Sequence, residues 1–162
     1  MSEAIRQLRK LRHLYATIER FLPIGRGNCM QRAVAMVMDV PTSKLVVGTL
    51  MSDRAYLHAW VMDRDMFFDP SCFEEDEGLT PYAMQPYIDR HQARDIQIVD
   101  RPVILAFARR GGLSKWMLRR GDTYHKLGAV MGHALLDELK IAYEVDDQGF
   151  LFPAQAQQGD RA

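Results

Sequence analysis

The sequence predicts an α+β domain in which a cysteine-led central helix packs on an antiparallel β-sheet, with additional helices covering it. Three observations lead there. An Asn-Cys pair at 28–29 opens an apolar run that Pro41 limits, residues 45–69 hold three β-rich segments divided by short polar turns, and helix-period stretches lie on either side. At 162 residues the chain has the size of one domain with a real core. It divides into an N-terminal covering helix (1–26), a core (27–72) and a C-terminal α/β extension (79–155).

In chain order, residues 2–22 place Ile5, Leu8, Leu11, Tyr15, Ile18 and Leu22 three and four apart, which is an amphipathic helix. Pro23 and the Gly25-Arg26-Gly27 loop end it. Asn28 is placed to cap the next helix, with Cys29 at its first position and Gln31 standing as in a capping box. Ala33 to Met38 follow without a polar break, and a helix apolar on all sides belongs inside the fold. Leu45–Leu50, Tyr56–Met62 and Met66–Asp69 read as strands, with turns at Ser52-Asp53-Arg54 and Asp63-Arg64. Glu74-Glu75-Asp76-Glu77-Gly78 is an acidic loop without the alternating carboxylates of a calcium loop. Thr80-Pro81 suits the start of a helix over 81–92, which Pro86 interrupts. Ile96–Val99 and Val103–Phe107 read as buried strands, and Asp122 or Thr123 starts a helix through Lys140. Ile141–Val145 and Phe150–Phe152 make a terminal hairpin, and the last residues are frayed.

Composition narrows the function classes. Apolar residues at 48% and charged residues at 26% are those of a water-exposed globular protein. Basic and acidic residues balance at 21 each, so the chain as a whole is not drawn to nucleic acid or anionic lipid. Charge is uneven locally: residues 1–26 carry a net +4, residues 63–95 a net −6 and residues 101–126 a net +6. No apolar run approaches the roughly 20 residues of a membrane span, and the charged N-terminus lacks a secretory signal. Two cysteines are too few for a disulfide framework, so the expected compartment is a reducing cytoplasm. His13, His91, His125 and His133 show no zinc-site spacing, no phosphate-binding glycine motif occurs, and neither metal nor cofactor is expected.

Chemistry concentrates on Cys29, His58 and Asp69. A cysteine attacks as its thiolate, and the unpaired N–H groups and dipole of a helix N-terminus favour negative charge there. The same N–H groups can hold an oxyanion, and Gly25 and Gly27 leave room for a substrate backbone. With a two-residue turn at Asp63-Arg64, Met62 pairs with Asp65, Val61 with Met66 and Trp60 with Phe67, so His58 lies directly opposite Asp69. Such cross-strand partners have Cβ atoms about 4.5–5.5 Å apart. Asp69 would fix one imidazole nitrogen and leave the other to face Cys29. An even number of loop residues keeps the two side chains on one face, whereas an odd number separates them. Trp60 shares that face and is a candidate wall of the site. Cys72 has no base at a readable spacing; a redox lock with Cys29 is its one alternative role.

A Cys-led apolar helix, a strand carrying His58-Ala59-Trp60-Val61 and a second strand ending in Asp69 together resemble the core of the transglutaminase-like (papain-like) cysteine hydrolase superfamily. The nearest likeness is to the leader-peptide peptidases of lasso-peptide biosynthesis. The resemblance covers residues 27–72. It implies a nucleophile at Cys29, a base at His58, an orienting carboxylate at Asp69 and a peptide or protein substrate. No Gln stands a few residues before Cys29, where papain-like enzymes place an oxyanion donor, so the second donor is unassigned. The expected reaction is hydrolysis of a peptide or amide bond, with transamidation or acyl transfer as the same chemistry with an amine in place of water. Two rivals are a non-catalytic interaction protein on the same fold and a nucleic-acid binder using Arg109, Arg110, Lys115, Arg119 and Arg120.

Overall fold

Helix α1 (Cys29–Asp39) begins on the cysteine, and every residue from Met30 to Val37 is buried. The computed structural model describes residues 29–71, 82–110, 132–147 and 150–154. The cover helix over 2–22, the Gly25–Asn28 approach to α1, Cys72, the acidic loop and the basic residues 115–120 lie outside the described residues. The all-round apolar character of α1 reflects its place against the sheet, and its C-terminus is tied in two ways. Ser43 Oγ donates to Val40 O at 2.6 Å. Arg101 Nε and Nη2 donate to the carbonyls of Val37 and Met38 at 2.9 and 2.6 Å, meeting the orphan acceptors of the last turn.

Strands β1 (Ser43–Met51), β2 (Ala55–Asp63), β3 (Met66–Phe68), β4 (Tyr82–Ala83) and β5 (Arg94–Val99) form one antiparallel sheet in the order β4-β3-β2-β1-β5. β1 and β2 pair along their whole lengths, from Ser43↔Asp63 to Met51↔Ala55. Alternation divides the sheet into two buried faces. Leu45, Val47, Leu57, Ala59, Val61 and Phe68 meet α1 in the main core; Val46, Leu50, Trp60 and Phe67 form the second core with Tyr87. Both faces being covered explains why β1 is apolar almost throughout rather than alternating.

The β2–β3 hairpin corrects the expected register. Asp63 is a strand residue, paired with Met66 and accepting a 2.6 Å bond from Thr42 Oγ1. The turn therefore falls on Arg64-Asp65, where Arg64 takes the left-handed conformation (φ 59°) that so tight a reversal needs. The pairs are Val61↔Phe68 and Met62↔Phe67, rather than Val61 with Met66 and Met62 with Asp65. His58 is thus not directly opposite Asp69. The slip is of two residues, so each side chain stays on its expected face and the two become diagonal neighbours.

Two further expectations change. Val103–Phe107 is not a strand but the middle of helix α3 (Arg101–Arg110), which buries Ile104, Phe107 and Ala108 at helical spacing. Asp100 O accepts from Val103 N at 3.0 Å, and Pro102 sits in the first turn, where its missing N–H costs nothing. A short apolar run cannot by itself distinguish a buried strand from a buried helix. The helix expected over 81–92 is α2 (Met84–His91), with Tyr82 and Ala83 spent instead on β4. Pro86 consequently falls in its first turn and interrupts nothing. A fourth helix, α4, is described over 132–138, and β6 (Tyr143–Val145) pairs with β7 (Leu151–Pro153) as the expected hairpin. Leu135, Leu136 and Leu151 join the core on the α1 side. The described chain is thus mixed α+β: an antiparallel sheet, a separate hairpin and four helices. Among the described residues no helix is long and apolar enough to cross a membrane.

Candidate active site

Cys29 stands at the start of α1, half-buried, and packs beside the α1-side core. His58 projects from β2 on the opposite face, with the Tyr56 ring at 5.9 Å edge-on and the Trp60 ring stacked at 6.0 Å. β1 pairs with β2 at His58, through Gly48, but the pairing of β3 with β2 stops at Phe68↔Val61, so among the described residues no strand pairs with the β3-side edge of β2 beside His58. At that level Cys29, from the helix layer, comes near enough to the imidazole for its sulfur to act on His58 electrostatically.

Asp69 follows the last residue of β3. Its Oδ2 accepts from His58 Nε2 at 2.9 Å, which bridges the diagonal between the strands and leaves Nδ1 as the ring nitrogen for the thiol. Two more donors hold the carboxylate: the Ser71 N–H to Oδ1 at 3.0 Å and the Tyr87 hydroxyl to Oδ2 at 2.8 Å. His58 is 8% exposed, Asp69 3% and Tyr87 0%, so these bonds are shielded from water. Burial alone would push the imidazole down. The Asp69 carboxylate and the Cys29 sulfur, through charge and hydrogen bonds, outweigh it and hold His58 well above its ordinary range. Burial likewise pushes the Asp69 carboxyl up, but His58, Tyr87 and the Ser71 N–H bring it below its usual value. The two directions agree: both describe an imidazolium paired with a carboxylate.

Two residues of this arrangement escaped the sequence. Arg32, one turn beyond Cys29 and 0% exposed, directs Nε to the carbonyl of Pro70 at 2.7 Å and Nη2 to the same oxygen. The helix carrying the cysteine thereby grips the backbone immediately after Asp69. A signal existed, since an arginine in an otherwise apolar buried helix requires a buried acceptor. Tyr87 gave none; α2 presents it across the sheet, in ring contact with Trp60 at 5.3 Å, Phe67 at 5.5 Å and His91 at 4.4 Å. Trp60 crosses the face at Gly48, where a Cβ would stand 2.9 Å from Trp60 Cη2.

The remaining candidates are dispersed. His91 contacts Tyr87, and His133 lies against Tyr143 at 5.3 Å. Arg110 pairs with Glu138 at the surface. Cys72, His13, His125, Lys115, Arg119 and Arg120 lie outside the described residues. Among the described residues no three His, Cys, Asp or Glu side chains gather where they could hold a metal ion.

Comparison of the chain with protein-family models, with curated proteins and with solved structures gave no match.

Proposed function

We propose that this chain is a thiol hydrolase that cleaves a peptide or amide bond through a covalent acyl intermediate, with Cys29 as nucleophile, His58 as proton carrier and Asp69 as the group that orients His58. The observation that supports it is the buried His58–Asp69 pair, whose carboxylate accepts three hydrogen bonds, with the Cys29 sulfur at the start of α1 near enough to the imidazole to act on its charge. The resemblance of Cys29, His58-Ala59-Trp60-Val61 and Asp69 to the transglutaminase-like, papain-like core supports the same assignment and the same order of roles.

The proposed cycle has two stages. The Cys29 sulfur attacks the carbonyl carbon of the substrate, and the N–H groups of the first turn of α1 face the oxygen that becomes negative. Collapse of the tetrahedral species breaks the C–N bond; the leaving amine takes its proton from His58, and a thioester remains on Cys29. Water then gives a proton to His58 and adds to the thioester carbonyl, releasing the acid and the thiolate, which regains its imidazolium partner. Asp69 is not protonated in this cycle; it holds the ring orientation and stabilises the charged imidazole. An amine replacing water at the second stage gives transamidation with the same residues.

Iodoacetamide with peptide mapping tests the assignment. Cys29 is expected to be modified faster than Cys72, with the preference lost in His58→Asn, and Cys29→Ser is expected to abolish turnover of a mixed peptide pool. Equal modification of the two cysteines in a folded wild-type chain, unaffected by His58→Asn, refutes a paired nucleophile.

A further inference from the structure

The Asp69 carboxylate has two strong partners on one oxygen. Both His58 Nε2, at 2.9 Å, and the Tyr87 hydroxyl, at 2.8 Å, donate to Oδ2, while Oδ1 is taken by the Ser71 N–H at 3.0 Å. We propose that Tyr87 is a positioning residue of the candidate active site: by sharing Oδ2 of Asp69 with His58, its hydroxyl sets how strongly the carboxylate holds the imidazole. The inference rests on the assignment of Cys29, His58 and Asp69 made above, and extends it to a fourth group from a different layer of the fold.

The surroundings support a polar rather than a merely space-filling role. Tyr87 is 0% exposed, and its ring already has packing partners in Trp60, Phe67, Tyr82 and His91. Phenylalanine would keep those ring contacts and lose the hydroxyl's bond to Asp69. A buried carboxylate that accepts more hydrogen bonds is less basic and shares its charge among more donors. The effect on His58 therefore has a definite sign: removing the Tyr87 donor leaves Oδ2 wholly to the imidazolium and tightens that pair. An imidazolium held too tightly is a poorer acid toward the leaving amine, and Tyr87 moderates it.

The groups facing this cluster come from every adjoining element. Cys29 and Arg32 arrive from α1, the latter through Pro70 O; Tyr56 and His58 from β2; Asp69 and the Ser71 N–H from the end of β3; Tyr82 from β4; and Tyr87 and His91 from α2. Of these, Asp69 alone is an anion bonded to both His58 and Tyr87.

The test reads His58 directly, by NMR of histidine-labelled protein with signals assigned through single-histidine variants. Tyr87→Phe is expected to raise the pH at which His58 titrates by roughly 0.5 unit, and to do nothing to that titration in an Asp69→Asn background. Incorporating 3-fluorotyrosine at position 87, a stronger donor of the same shape, is expected to move His58 the opposite way. An unmoved His58 in folded Tyr87→Phe protein, or the same movement with and without Asp69, overturns the proposal. Should Tyr87→Phe fail to fold, the fluorinated chain decides alone. Absence of peptide turnover would refute the hydrolase assignment while leaving this titration readable, so the two failures are distinguishable.

Discussion

Replacing Arg32 by Met is expected to damage both stability and the site, because one side chain serves both. The guanidinium makes two hydrogen bonds to Pro70 O, from a position with no solvent exposure. Bonds to charged groups contribute about 1.5–3 kcal/mol; here two share one acceptor, and a buried methionine recovers part of the desolvation cost of the charge. A net loss of about 2 kcal/mol follows, or roughly 4–8 °C in Tm for a chain of this size. Methionine replaces the aliphatic stem, so the loss comes from lost polar contacts, that to the Pro70 carbonyl among them, and not from a cavity. The second effect separates this from an ordinary core change. With Pro70 O released from α1, Asp69 is no longer fixed relative to Cys29, and iodoacetamide modification of Cys29 in a Cys72→Ser background should slow by about tenfold. Arg32→Lys keeps the charge but loses the planar fork and should fall between the two. Thermal unfolding and timed alkylation check these values. An Arg32→Met protein with unchanged Tm and unchanged Cys29 reactivity would refute the idea that α1 positions the Asp69 segment.

Gly48→Ala should cost about 1–3 kcal/mol, read as a lower urea midpoint, because the new Cβ meets Trp60 Cη2 at 2.9 Å and Arg94 O at 3.3 Å. The pH dependence of stability should carry the signs of the buried pair. The folded state lowers Asp69, so its contribution is present above the unfolded carboxyl value of about 3.9 and is lost as pH falls through the lower folded value. The folded state raises His58, so its contribution is complete below the unfolded value of about 6.5 and is lost as pH rises through the higher folded value. Urea midpoints should therefore decline on both flanks, and His58→Gln should remove the loss on the alkaline side above about 6.5.

Much of the site was legible because it depends on local rules. The start of a buried helix at Cys29, the strands around His58 and before Asp69, and the shared face of those two residues follow from apolar periodicity and the two-residue period of a strand. The face survived an error in register because the slip was even; Asp63, committed to Thr42 and Met66, moved the turn by one residue and the pairing by two. The misreading of Val103–Phe107 had a similar origin, since five apolar residues fit either a strand or a helix until Pro102 and Asp100 are seen to start one.

The sequence by itself determined which chemical groups are present and which face each takes along its own element, because those depend on neighbours a few residues away. Tertiary structure alone decided that Arg32 reaches across 38 positions to Pro70 and that Tyr87 reaches back 18 positions to Asp69. Those contacts arise from how helices cross the sheet, and no periodicity along the chain encodes a hydrogen bond between layers. What the fold adds to Cys29, His58 and Asp69 is a hold on the Asp69 segment from two helices: α2 on the carboxylate through Tyr87, α1 on the next residue's carbonyl through Arg32.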